Sequence, residues 1–414
     1  MRLRKKPKRW AQYWKNRVLT DLVRVIENNA HPHNHQIKGF FFKMYSISII
    51  IVIFISFFAT SYFFQKINFL PELKIGSLKE RYYFIDGLRG IAAICVVVGH
   101  SWRIGVKAFD FKDFYLSSFS SFIASFGVQL FFCITGFLFF DQIIKKRANI
   151  DWNKFYLSRV KRLAPLFLFS TTISVFCLYA VSLEKISLIS FNDLFNAIKL
   201  YLFGFGGQVD ILGRNSGVLT AVSWTLPYEI RFYFVLPLVC LALKSNYKNL
   251  VLIFVVLLVI SSFVVDKMNL WQNFLIGAFG AYTINKVNIN NNMARIVIFC
   301  VGLLSLIAST NFIKDHYDLY SFLFVFVFFV SMILSKPKFL AKKFFVLTGD
   351  VSYSVYLNHS FVLVALSYIF YAFFGKISLN IPIAIVIYCF CSVMVCTLSF
   401  FSFKYIEYPF LKKN

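Results

Sequence analysis

The chain has 414 residues, 59% of them hydrophobic and 15% charged, with 54 Phe and a mean hydropathy of +0.69. That balance excludes a soluble enzyme, and apolar residues gathered into runs of about 20 make the chain one polytopic membrane domain rather than two or three soluble ones. The net charge of +26, from 44 Lys and Arg against 18 Asp and Glu, would suggest nucleic acid in a soluble protein; here its distribution follows membrane topology and no nucleic-acid partner is expected.

Residues 1–43 carry eleven Lys or Arg against two acids, with Trp10, Tyr13 and Trp14 among them. This composition suits a tail lying on an anionic cytoplasmic membrane face, with lipid headgroups as its partners. The apolar run 44–64 follows it and is too long for the core of a signal peptide. Having no polar face, this run is read as an extra spanning helix, although spanning would put the basic tail outside, against the positive-inside rule. Further spans are expected near 83–101, 119–141, 163–182, 218–243, 250–265, 271–286, 295–312, 319–335, 351–374 and 380–403. The predicted class is an all-α polytopic membrane protein of about ten core transmembrane helices plus one extra N-terminal hydrophobic segment. All eight cysteines lie inside apolar runs, so neither a disulfide framework nor a metal site is expected.

With 65–82 on the cytoplasmic side, the inside connections hold 22 basic residues and the outside ones nine, as the same rule requires. This assignment needs 194–206 not to cross. That piece is short, contains Lys199 and is flanked by Gly204, Gly206 and Gly207, so it reads as a re-entrant or interfacial part of the outer loop 183–217.

Ionisable groups inside spans cost roughly 2.5–3.5 kcal/mol each, so they are functional candidates by default. The first core span carries Asp86, Arg89 and His100. Eleven residues separate Arg89 from His100, which puts both on one helix face about 16 Å apart along the axis. A guanidinium at the inner mouth can hold phosphates, and an imidazole deeper in can take a proton from an acceptor hydroxyl. The plainer alternative makes Arg89 a topogenic anchor and His100 an interfacial residue beside Trp102. The loop 142–162 adds Lys154, Arg159, Lys161 and Arg162 near the same mouth. In SWTLPYEIRFYFVLP, Glu229 lies four residues before Tyr233 and five after Trp224, so a carboxylate and aromatic rings can line one cavity. In GDVSYSVYLNHSF, Tyr356 and His359 stand at helical i, i+3 spacing. The alternating His31, His33 and His35 read as a solvated surface, and no P-loop, dinucleotide or hydrolase motif is present.

These segments together resemble the membrane-bound acyltransferase 3 family, whose bacterial members O-acylate cell-surface glycans. The resemblance covers roughly residues 82–411. FIDGLRGIAAICVVVGH is similar to the family's opening Arg-x10-His motif, and FGVQLFFCITGFLFF to its second-span motif, with Thr135 where Ser is usual. RVKRLAP, SWTLPYEIRFYFVLP, YSVYLNHSF and IEYPF resemble its later motifs in order. The resemblance implies Arg89 and His100 as the essential pair, acyl-CoA (acetyl-CoA by default) as the cytoplasmic donor, and a glycan or lipid-linked saccharide as the acceptor.

The expected organisation is a basic tail 1–43, an extra hydrophobic segment 44–64 and an acyltransferase domain 82–411 in a bacterial inner membrane, with no fused extracytoplasmic esterase-like domain. His100, Arg89 and Glu229 are assigned to catalysis, with His100 either a general base or transiently acylated. Arg89, Arg159 and Arg162 are assigned to the donor phosphates, and Asp86, Trp224, Tyr233, Tyr356 and His359 to substrate binding. The competing readings are a transporter or flippase of an anionic or lipid-linked substrate, and a non-catalytic scaffold recruited through the basic tail.

Overall fold

A computed structural model describes residues 32–71, 81–109, 118–220, 222–245, 249, 253, 270–312, 317–377 and 380–411. Residues 1–31 and, apart from residue 253, the span expected at 250–265 lie outside the described residues, as does His316. Eight described helices are long and apolar enough to cross a membrane, and the fold is that of an all-α polytopic membrane protein.

The helices run in chain order as α1 (Pro32–Lys66), α2 (Tyr83–His100), α3 (Ser118–Lys145), α4 (Trp152–Ala180), α5 (Phe191–Leu200), α6 (Leu226–Lys244), α7 (Gln272–Lys286), α8 (Asn292–Phe312), α9 (Leu319–Ser335), α10 (Lys343–Asp350), α11 (Ser352–Phe374) and α12 (Ile381–Ser402). Eight membrane-length helices among the described residues do not by themselves confirm the expected count of about ten core spans plus one, and the span expected at 250–265 falls almost wholly outside those residues. Among the expected spans, α7 has 15 residues and α9 has 17, both shorter than a typical crossing. The span expected at 163–182 starts at Trp152, where Asp151 accepts from the backbone N–H of Lys154 and caps the helix. Arg159 and Arg162 therefore sit on a helix and not in a loop. The span expected at 218–243 starts at Leu226, because Gly217–Thr220 and Ser223–Thr225 form two separate short turns before it.

The segment read as non-crossing contains α5, ten residues long and capped by a reciprocal Ser190–Asp193 box. Its Phe191, Leu194, Phe195 and Ile198 side chains are exposed, as fits an interfacial helix with an apolar face. A two-stranded antiparallel ribbon, β1 (Asp210–Ile211) and β2 (Arg214–Asn215), follows it.

The site-bearing core is α2 wrapped by α3, α10 and α11, with α7 against α3. Water-driven burial contributes little between helices in lipid, so close backbone approach matters more. The glycines permit it. A Cβ at Gly87 would lie 2.1 Å from the carbonyl oxygen of Leu340, and one at Gly349 would lie 1.9 Å from that of Asp86, so α2 and α10 touch backbone to backbone. Gly136 of α3 and Gly277 of α7 play the same part at the next interface. Polar links add direction: the Gln129 amide of α3 donates to Ser321 of α9 at 2.8 Å. From Ile49 onward α1 also packs on the core, with Thr348 donating to Ser61 at 2.8 Å and Phe64 stacked on Phe400 at 4.4 Å.

Candidate active site

A cavity of about 750 Å³ opens among α2, α3, α4, α6, α10 and α11. Its charged end is built on the start of α2. Arg81 donates to Asp86 at 2.6 Å and to Asp350 at 2.5 Å, and Arg89 donates to the carbonyl oxygen of Gly349 at 3.1 Å, with its Nη2 3.5 Å from Asp86. The carbonyl is reachable because Gly349 lets α10 lie directly on α2. Asp86 is thereby committed to two arginines and acts as their spacer. Burial pushes the Asp350 carboxyl up to about 6, against the opposing pull of Arg81. Burial lowers Arg81 in turn, but the Asp350 and Asp86 carboxylates outweigh it and hold the guanidinium above its ordinary value.

Lys145, Lys146, Arg159, Lys161 and Arg162 add further cations to the lining from α3, α4 and the turn between them. Lys145 pairs with Asp141 at 2.7 Å and donates to the Tyr82 hydroxyl at 3.0 Å. Arg159 lies over the Phe139 ring at 5.2 Å, where the ring face offsets part of the charge without neutralising it. Arg162 forms an ion pair with Glu407, which is fully buried and also accepts from Ser354 at 3.1 Å. Glu407 reaches it because Phe403–Glu407 is a π turn continuing α12, and the wider winding changes the face on which the following side chains emerge.

Glu229 lines the cavity, accepts a short hydrogen bond from Tyr233 one turn later, and has Arg159, Arg162 and Arg89 as electrostatic neighbours. Phe131, Thr225, Leu226 and Tyr356 also line the cavity. The Tyr356 and Thr225 hydroxyls are 2.7 Å apart and Phe131 meets the Tyr356 ring edge-on.

The cavity lining thus brings together Arg89, Asp86, Arg159, Lys161, Arg162, Glu229, Tyr233, Ser352, Tyr353 and Tyr356 from among the residues picked out in the sequence. His100 and His359 are not in that lining and stand beside each other beyond Tyr356. Their rings are 5.1 Å apart at 18°, and the His359 ring is 6.4 Å from that of Tyr356. Trp224 packs on Tyr228 and Tyr317 instead. Arg81, Asp350 and Glu407 belong to the site and were not picked out. Arg81 lies just before the first core span and Glu407 in the quoted IEYPF segment, so their positions were visible, but not their partners. Arg103 was also passed over. Buried just past His100, it donates to the carbonyl oxygen of Val218 at 2.8 Å and ties the end of α2 to the turn before α6.

The family model described as an acyltransferase domain matches residues 82–401. A protein of Acidianus two-tailed virus, provisionally named an acetyltransferase, is 27% identical over 302 residues, 66% of this chain and 81% of its own. The O-acetyltransferase OatA of Staphylococcus aureus (strain NCTC 8325 / PS 47) is 22% identical over 372 residues, covering 80% of this chain. The match spans 57% of that relative's length. No solved structure matches the chain significantly.

Proposed function

The chain belongs to the membrane-bound acyltransferase 3 family, and on that premise we propose that it moves an acyl group, acetyl by default, from cytoplasmic acyl-CoA to a hydroxyl of an extracytoplasmic glycan. It is a multi-pass membrane acyltransferase. The observation that carries the finer reading is the cluster of Arg89, Arg159, Arg162 and Lys145 in the cavity lining, with Tyr356 in the same lining and the two histidines outside it, next to Tyr356.

The cationic end suits a nucleotide with several phosphates. Guanidinium forks give bidentate, charge-assisted hydrogen bonds to phosphate, and the Asp86, Gly349 and Glu407 contacts hold Arg89 and Arg162 in position. The positive-inside count supports a cytoplasmic setting for this end, the side on which acyl-CoA is found. An extended thioester arm then reaches along α2 toward His100, about 16 Å from Arg89 on the helix axis. For the arm to pass from the cavity to the histidines, the Tyr356 ring has to move off Thr225.

His100 is the base in this reading. It takes the proton of the acceptor hydroxyl as the hydroxyl oxygen bonds to the acyl carbon; the carbon–sulfur bond then breaks and the departing thiolate takes a proton back from His100. Tyr356 and Thr225 hydroxyls are donors for the developing oxyanion. Glu229, bound to Tyr233 and facing arginines, acts on the donor side and does not touch His100.

The test is mass spectrometry of cell-surface glycans from a deletion strain carrying either wild type or His100→Ala. The acetyl increment should return with wild type alone. Full acetylation by His100→Ala would sink the mechanism, and no glycan change in the deletion strain would move the acceptor to another class.

A further inference from the structure

Nδ1 of His100 is 3.0 Å from Nε2 of His359. His359 is fully buried, and its other nitrogen, Nδ1, is 3.0 Å from the carbonyl oxygen of Val355 one turn earlier on α11. A carbonyl only accepts, so Nδ1 of a neutral His359 carries the ring proton and Nε2 is left as an acceptor with one lone pair in the ring plane. Two groups approach that lone pair, His100 Nδ1 and the Ser360 hydroxyl at 3.2 Å. The hydroxyl can rotate to another acceptor. The His100 ring cannot, and two facing lone pairs would repel. Nδ1 of His100 is therefore the donor, and its Nε2 holds the free lone pair.

We propose that His359 is a positioning residue that fixes His100 in the Nδ1–H tautomer, so that Nε2 of His100 faces the acceptor hydroxyl as the base. This rests on the acyltransferase reading above for the identity of the proton donor. The arrangement follows the logic of a nucleophile or acceptor, a base and a third group that orients the base, with a buried imidazole in the third place. It assigns His359 a role through His100, not through contact with substrate. It also gives Val355 a part that any residue type can play, because only its carbonyl is used.

The two conservative replacements separate this from a packing role. The side-chain oxygen of Gln at 359 lies near the former Nε2 and can accept from His100, whereas Asn is too short to reach. Full-length protein labelled with 15N-histidine in detergent gives the tautomer of each ring, with His100 assigned by its loss in His100→Ala. The initial rate at which alkali-labile acetate accumulates on surface glycans of the host gives activity. We expect a protonated Nδ1 at His100 in wild type and His359→Gln, and a switch to protonated Nε2 in His359→Asn. Activity should fall at least about a hundredfold in His359→Asn and largely recover in His359→Gln. A wild-type His100 protonated on Nε2, or a tautomer and rate unchanged in His359→Asn, overturns the proposal. An unshifted tautomer beside an inactive His100→Ala rejects the proposal alone, while full activity of His100→Ala rejects the reading beneath it.

Discussion

Glu407, at the end of the π turn that continues α12, is fully buried and ion-paired with Arg162 on α4, so α12 and the cationic part of the cavity lining are held by one contact. Removing one partner of a buried pair strands the other, at a cost of about 3–5 kcal/mol. Glu407→Ala should lower the melting temperature of the detergent-solubilised protein and raise KM for acetyl-CoA. Glu407→Gln, which keeps an acceptor for Ser354, should lose less stability. Equal melting temperatures for Glu407→Ala and wild type would count against the contact.

Arg89 is fixed by a carbonyl and a carboxylate at once, an arrangement suited to a planar fork and poorly matched by an ammonium. Arg89→Lys should raise KM for acetyl-CoA by about ten- to a hundredfold, as expected for losing one charge-assisted hydrogen bond worth about 1.5–3 kcal/mol. Initial-rate kinetics across donor concentrations check this, and an unchanged KM would remove Arg89 from donor binding.

Gly349 allows α10 to lie on α2, because a Cβ there would come within 1.9 Å of the Asp86 carbonyl oxygen. Gly349→Ala should force the helices apart, destabilise by about 1–3 kcal/mol as overpacking does, and move the carbonyl away from Arg89. Thermal unfolding should show the loss together with a raised donor KM. The same substitution at Gly375, where nothing lies within 4 Å of the added Cβ and the strain is in the backbone (φ 68°), should leave donor KM alone.

Asp350 gives the pH dependence a sign. Its carboxyl is held at about 6 by burial, above its ordinary 3.8, so the folded state binds that proton more tightly than the unfolded chain. Its contribution to stability is fully present below about pH 4 and is lost as pH rises through about 6. Asp350→Asn, which imitates the protonated form, should flatten the melting temperature against pH over that window. A variant with the wild-type slope would show that another group sets it.

The class of fold was legible because lipid forces long apolar runs, and the Arg89 to His100 spacing was legible because helix geometry fixes it. Arg159 and Arg162 were found as charges, but their place on a helix depended on the Asp151 cap extending α4 by eleven residues beyond the apolar run. The Glu407 contact was hidden because a π turn shifts the facing of every later side chain, and hydropathy carries no trace of it. The pairing of His100 with His359 joins residues 259 positions apart, a distance over which no local pattern reports. The short helix α7 was legible to within one residue, because Trp271 and the Asn-rich stretch after Lys286 bound its apolar run.

The central claim is that an acyl group passes from one side of the membrane to the other by way of His100. Inverted membrane vesicles from the native host, supplied externally with acetyl-CoA radiolabelled in the acetyl group, test it most directly. Wild-type vesicles should accumulate label on enclosed, alkali-labile glycan, and vesicles carrying His100→Ala should accumulate none despite equal protein content. Equal labelling by the two would contradict the account.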